Sequence, residues 1–196
     1  ARKCYEVIRK HGKQIVVMEA VKGGTLAQLP ADVDALLKYK NADRSPVDWS
    51  LLFGAGLDGV LVALSGMSTL EQVEKNTKTM GSFRPLDQSE QSVLEQAAEL
   101  LDGRMKYPLT DAERLKHVCP KGIRAAELLQ YYNEAVQEVN PTFSSELNYY
   151  RLLKARSAPF SSCDCCGRCA GLFPGGEVPD MLREAEEFFE KYGFFL

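Results

Sequence analysis

Four of the six cysteines stand within seven residues, and their spacing limits the fold more than any other feature of the chain. The segment 163–169, here called the cysteine run, has cysteines at intervals of three: Cys163, Cys166 and Cys169. In bacterial-type iron–sulfur motifs such a run supplies three ligands, and the fourth cysteine, followed by proline, belongs to a distant segment. Cys119-Pro120 is a pair of this kind. The spacing therefore predicts that residue 119 folds back onto the run.

The positions that lack cysteine are also informative. Phe173 precedes Pro174 where a complete motif would end in cysteine, and residues 109–116 hold none of the three cysteines that would precede Cys119. In a protein with two such motifs and two clusters, those four positions together would have bound one cluster. The four cysteines that would bind the second cluster are all present. The sequence predicts one 4Fe–4S cluster, with Cys165 as a spare thiol. The predicted ligands are Cys119, Cys163, Cys166 and Cys169. The alternative from the same residues is a structural zinc site with four cysteine ligands.

Composition excludes several classes of protein. The net charge is −3 over 196 residues, which gives no electrostatic basis for binding nucleic acid. No apolar run reaches the roughly 18 residues of a transmembrane span, and the N-terminus lacks the apolar region of a signal peptide. Closely spaced cysteines with no such signal predict a reducing, cytoplasmic location. The chain starts without methionine and directly in a helical pattern, which predicts the C-terminal portion of a longer protein.

Hydrophobic patterning divides the chain into two parts. "QIVVME" and "DGVLVALSG" have the continuous apolar character of buried parallel strands, and each precedes a loop and a helical pattern. Ser45, before Pro46, and either Ser68 or Thr69 are predicted helix N-caps. From about Leu86 onward only helical periodicity remains. The predicted domains are residues 1–95, of α/β class, and residues 96–196, all helical.

The two loops after the predicted strands, "MEAVKGGTLAQLP" and "SGMSTLEQVEKN", resemble those at the C-terminal end of aldo/keto reductases. "CPKGI", "YNEA" and the cysteine run resemble the branch of that family with a ferredoxin-like extension. The resemblance spans essentially the whole chain. It implies the last two β/α units of a TIM-type barrel, followed by an all-helical ferredoxin-like iron–sulfur domain. It also implies an N-terminal barrel segment that this chain does not contain.

The resemblance further implies a site for NADP(H) or NAD(H) in the intact protein. Gln72 and Asn76 would face the adenine end, and the backbone from Val21 to Gly24 would follow the pyrophosphate. A helix N-terminus after the second strand would suit a phosphate. No arginine follows Ser68 to bind a 2′-phosphate, so the preference between the two dinucleotides stays open. The implied cofactor-binding residues are Val21, Gly23, Gly24, Gly66, Ser68, Gln72 and Asn76. Without the resemblance, the glycine pair merely ends a strand and the two amides are solvated surface.

The family reduces small carbonyl substrates with a tyrosine, lysine, aspartate and histidine from the first strands of its barrel. None of these four can be assigned in this chain, so no catalytic residue is predicted and the chain alone is expected to be inactive. The implied function is the C-terminal part of an NAD(P)H-dependent oxidoreductase. The alternatives are a stand-alone electron-transfer or interaction module and a structural zinc protein.

Overall fold

The computed structural model describes residues 2–107, 118–137, 145–169, 172–173 and 177–193. The chain forms two compact units, Ala1–Leu100 and Leu101–Leu196. None of the helices in the described ranges has the length and apolar content needed to cross a bilayer.

The first unit alternates helices with two short strands. Its elements are α1 (Arg2–Lys10), β1 (Ile15–Val17), a 3-10 segment (Lys22–Ala27), α2 (Ala31–Lys40), α3 (Pro46–Gly56), β2 (Val60–Ala63), α4 (Leu70–Gly81) and α5 (Gln88–Asp102). α3 and α4 begin at side-chain caps, where the Ser45 and Thr69 hydroxyls accept from the backbone N–H three residues on. These caps are among the predicted ones. Buried side chains of α2 and α3, Trp49 among them, form the core of this unit.

The predicted strands form and pair in parallel, with Ile15 opposite Val60 and Val17 opposite Ala63. The predicted fold class is nevertheless wrong. The described part of the chain is mostly helical and holds a single two-stranded parallel sheet, not a portion of a TIM-type barrel. Barrel strands are covered on both faces. Here the side chains of Val16 and Leu61 are 53% and 63% exposed, so the continuous apolar pattern does not correspond to burial on both faces.

The second unit is helical in its described residues, as the all-helical prediction requires. The helices in its described ranges are α6 (Ala125–Ala135), α7 (Ser145–Lys154) and α8 (Val178–Gly193), with a 3-10 turn at Phe160–Ser162. Leu128 on α6, Leu153 on α7 and Phe189 on α8 are almost completely buried against one another's helices. The ring of Tyr150 stacks on Phe189 with centroids 4.6 Å apart. Three cysteines pack against the edge of this core: Cys119, Cys163 and Cys169.

Candidate functional site

Backbone hydrogen bonds hold the segment after Cys119 next to the chain that leads into the cysteine run. The Gly122 N–H donates to the Cys119 carbonyl at 3.1 Å, which closes a tight turn with Gly122 at φ 77°. The Gly122 carbonyl in turn accepts from the Ala158 N–H at 3.2 Å. The Arg124 N–H donates to the Ser157 hydroxyl at 3.1 Å. The two cysteine-bearing segments are therefore anchored to each other through residues 122–124 and 157–158.

The cysteine run bends sharply because two of its residues adopt left-handed backbone conformations. Cys165 has φ 57° and Gly167 has φ 74°. Such a conformation costs little at glycine but is strained at Cys165. Cys163 and Cys169 are half-buried, whereas Cys165 and Cys166 are exposed. The bend thus places one pair of thiols against the protein core and the other toward solvent.

Packing places three of the predicted ligands beside one core. Cys119, Cys163 and Cys169 are partly buried against the same cluster of apolar side chains. Burial raises the pKa of the Cys169 thiol, and the neighbouring cysteines raise that pKa further. The structure therefore brings the Cys119 segment next to the cysteine run, and the role of these cysteines as ligands stays a prediction.

The donor atoms that a metal or cluster would meet beside this core are cysteine thiols. Thiolates are the ligands that iron–sulfur clusters and zinc prefer. Among the described residues, no three His, Cys, Asp or Glu side chains are grouped closely enough to hold a single metal ion. A 4Fe–4S cluster does not require so close a group, because each of its four thiolates binds a different iron atom. Phe173, at the position of the absent cysteine, is a buried core residue.

A cavity of about 1460 Å³ in the first unit lies where the two strands end. Its wall includes residues 18–21, which follow β1, and residues 64–69, which follow β2. Ligands of parallel α/β sheets commonly bind at this edge, in pockets of roughly 300–1,000 Å³. All the residues implied for dinucleotide binding line this one cavity: Val21, Gly23, Gly24, Gly66, Ser68, Gln72 and Asn76.

Gly23 and Gly24 form part of the cavity wall in a conformation that favours glycine. Their φ angles are 64° and 99°, in the left-handed region. No heavy atom lies within 4 Å of the position that a Cβ atom would occupy on either residue. Backbone conformation, and not close packing against the rest of the chain, is therefore what requires glycine here. The space beside the pair is open.

The Gln72 side chain caps the helix on which it lies. Its Oε1 accepts from the Ser68 N–H at 2.8 Å and from the Thr69 N–H at 3.3 Å. The Thr69 hydroxyl accepts in return from the Gln72 N–H at 3.2 Å, which completes a capping box. The N–H groups of Ser68, Thr69 and Gln72 are therefore already bonded. This capping is a second role for Gln72, beside the contact with adenine that the resemblance implies.

Asn76 is buried, in contrast to the interpretation of this amide as solvated surface. It is 9% exposed, and its Nδ2 donates to the Ser65 hydroxyl at 3.1 Å. That bond joins α4 to the loop after β2. Asn76 therefore fixes the shape of the cavity wall whether or not it touches a ligand.

Two arginines that sequence reasoning missed also line the cavity. Arg44 and Arg84 both bind the Glu90 carboxylate, at N–O distances of 2.7 Å, and Arg84 makes a second bond of 2.8 Å. Arg44 also lies over the ring of Trp49, 5.0 Å from its centroid. Arg44 and Glu90 are 46 positions apart along the chain, so no local spacing pattern could have indicated their bond. Arg84 is six positions from Glu90, which corresponds to no regular helical spacing.

No family model, curated protein or solved structure matches this chain. The resemblance to aldo/keto reductases therefore stays a prediction.

Proposed function

We propose that this chain is the part of a longer NAD(P)H-dependent oxidoreductase of aldo/keto reductase type that carries one 4Fe–4S cluster and part of the dinucleotide site. The cluster ligands are Cys119, Cys163, Cys166 and Cys169. The observation that supports the proposal is the anchoring of the Cys119 segment to the chain that leads into the cysteine run, through the hydrogen bonds of residues 122–124 with residues 157–158 and the shared core beside Cys119, Cys163 and Cys169. A cytoplasmic location and a small carbonyl substrate for the intact protein belong to the same proposal.

The cavity of the first unit supports the dinucleotide part of the proposal. It is large enough for an extended cofactor and lies at the carboxyl ends of parallel strands. Gly23 and Gly24 leave open space beside the backbone, which would let a pyrophosphate approach closely. Asn76 and Ser65 hold the opposite wall through their hydrogen bond.

The residues of this chain have binding roles in this proposal. When bound, a 4Fe–4S cluster supplies single-electron transfer, and a nicotinamide supplies hydride. The half-buried thiols Cys163 and Cys169 lie against the aromatic and aliphatic core, which limits the access of water on that side. No side chain of this chain is assigned to proton transfer, so carbonyl reduction requires residues of the longer protein.

Metal analysis of anaerobically purified protein tests the cluster. We expect iron and acid-labile sulfide in equal amounts, about four of each per chain, with the brown colour and visible absorption of a 4Fe–4S centre. Cys119→Ser should lose most of the iron. Cys165→Ser is the matched control, because it removes an exposed thiol from the same run and should retain the iron. A colourless protein with one zinc per chain and no sulfide would contradict the proposal and support the structural zinc site.

Binding of NADPH and NADH, followed by the fluorescence of the reduced nicotinamide, tests the cavity. Asn76→Ala should weaken binding about tenfold, because it removes the bond that holds the wall and a polar contact with the ligand. Thr77→Ala is the control, since Thr77 lies next on α4 but faces away from the cavity and bonds only to its own helix. Absence of binding at millimolar dinucleotide would contradict this part. A protein with the cluster but without dinucleotide binding would be the stand-alone electron-transfer module.

A further inference from the structure

An ion pair joins the two cysteine-bearing segments directly. The Lys121 ammonium lies 3.0 Å from the Asp164 carboxylate. Lys121 follows Cys119 by two residues, and Asp164 follows Cys163 by one. Each partner therefore lies beside a predicted ligand, and the pair spans the gap that the proposed cluster must bridge.

The same carboxylate lies close along the chain to two predicted ligands. Asp164 directly follows Cys163 and stands two residues before Cys166. When these cysteines bind iron as thiolates, the carboxylate stands among anionic sulfurs. An unpaired carboxylate at that place would disfavour the bound cluster and its reduction. The Lys121 ammonium compensates this charge at 3.0 Å.

We propose that Lys121 and Asp164 act as positioning residues, forming a clasp that holds the Cys119 segment on the cysteine run and balancing the charge beside the cluster. The inference rests on the proposed cluster. It assigns two functions to one ion pair. The clasp retains the cluster, and the two opposite charges shift the reduction potential of the cluster in opposite directions. Net charge close to a cluster is one of the main determinants of its potential.

The two functions predict different patterns in the single variants. Lys121→Gln and Asp164→Asn both break the clasp, so both should speed the loss of iron to a chelator. The expected factor is about two- to fivefold, the range that a half-exposed ion pair supports. Lys121→Gln leaves an extra negative charge and should make the midpoint potential more negative. Asp164→Asn leaves an extra positive charge and should make that potential more positive.

Two further variants separate the clasp from general effects of substitution. The double variant Lys121→Asp, Asp164→Lys restores an ion pair with the same net charge, so it should return iron loss toward the wild-type rate. Lys154→Gln is the matched control. It removes the lysine of another pair in the same unit, Lys154 with Glu190 at 2.5 Å, where the side chains are 48% and 45% exposed. It should change neither iron loss nor potential.

A measurement on metal-free protein distinguishes failure of the clasp from failure of the cluster. Oxidation with diamide, followed by peptide mapping, gives the yield of disulfides that join Cys119 to the run. This yield should fall two- to fivefold in Lys121→Gln and Asp164→Asn and stay unchanged in Lys154→Gln. If the wild-type protein binds no iron but the yield falls as expected, the proposed function is wrong and the clasp stands. If the yield and iron loss match those of the control, or the two potentials move in the same direction, the inference is overturned.

Discussion

Glu184 on α8 joins three segments of the second unit through one carboxylate. It accepts hydrogen bonds from the Lys106 ammonium, from the Tyr107 hydroxyl at 2.6 Å and from the Tyr132 hydroxyl. Both tyrosines are buried, with their rings stacked 5.7 Å apart. Loss of the charge on Glu184 would leave these donors facing a weaker acceptor. We therefore expect Glu184 to be a main source of pH dependence in the stability of this unit.

The pKa of Glu184 allows the size of this effect to be worked out. Burial alone would raise the pKa, but the bonds from Lys106, Tyr107 and Tyr132 outweigh it and lower the pKa from 4.5 to about 2. Each pH unit of difference corresponds to about 1.36 kcal/mol, so the full difference amounts to about 3.4 kcal/mol. The side chain is 37% exposed. Solvent screening therefore reduces the contribution to about 1.5–2 kcal/mol. Because the folded-state pKa is lowered, this stability is present above pH 4.5 and is lost as the pH falls toward 2.

Urea denaturation of Glu184→Gln, followed by circular dichroism at 222 nm, measures this contribution. At pH 7 the free energy of unfolding should be about 1.5–2 kcal/mol below that of the wild type. The difference should shrink as the pH falls from 4.5 to 2, because the wild-type carboxyl becomes neutral in that range. Glu187→Gln is the control, an exposed glutamate on the same helix. Equal stability of the two variants at pH 7, or a difference that does not change with pH, would refute the reasoning.

Three further substitutions test other parts of the structure by the same denaturation assay. Glu90→Gln should cost about 2–3 kcal/mol, because it removes the charge of a carboxylate that is only 4% exposed and binds two arginines. Glu95→Gln, at an exposed position of the same helix, should cost little. Similar losses in the two variants would contradict this. Thr69→Ala should cost about 1 kcal/mol through loss of the α4 cap, and an unchanged midpoint would show that the cap contributes nothing. Leu128→Ala, at a completely buried position, should cost about 3 kcal/mol; a loss below 1 kcal/mol would mean that this core is loosely packed.

Local signals predicted the elements of the fold better than its class. The caps at Ser45 and Thr69 depend on residues within one helical turn, and both form. The strands also depend on short apolar runs, and they pair in parallel. A continuous apolar run only permits burial on both faces, and other elements must supply the cover. Leu61 is 63% exposed because no described element covers that face of β2. The barrel prediction failed for this reason.

The candidate site shows the same division between local and long-range information. The spacing rule for iron–sulfur ligands describes a long-range contact, and it indicated the Cys119 segment, which the structure joins to the run by the ion pair of Lys121 with Asp164. That Cys119 is a ligand stays a prediction. The seven residues that the loop motifs implied for dinucleotide binding all line one cavity. No rule of this kind connects Arg44, Arg84 and Glu90, and the clasp between Lys121 and Asp164 was missed for the same reason. Which charged side chains pair depends on the folded structure, and their spacing in the sequence says little about which of them form ion pairs.

Capping of α4 sets a condition on how the cavity can bind a dinucleotide. The Ser68 and Thr69 N–H groups, which a phosphate at this helix N-terminus would use, already donate to Gln72. A phosphate that takes these donors must displace the amide, at a cost of about 1 kcal/mol or a factor of about five in affinity. The Gly24 N–H on the opposite loop is also committed, to the Val21 carbonyl at 3.0 Å. A dinucleotide phosphate that takes these two donors therefore requires Gln72 to give up its Oε1 bonds to the backbone. A contact with adenine through the Gln72 Nε2 would leave the cap in place.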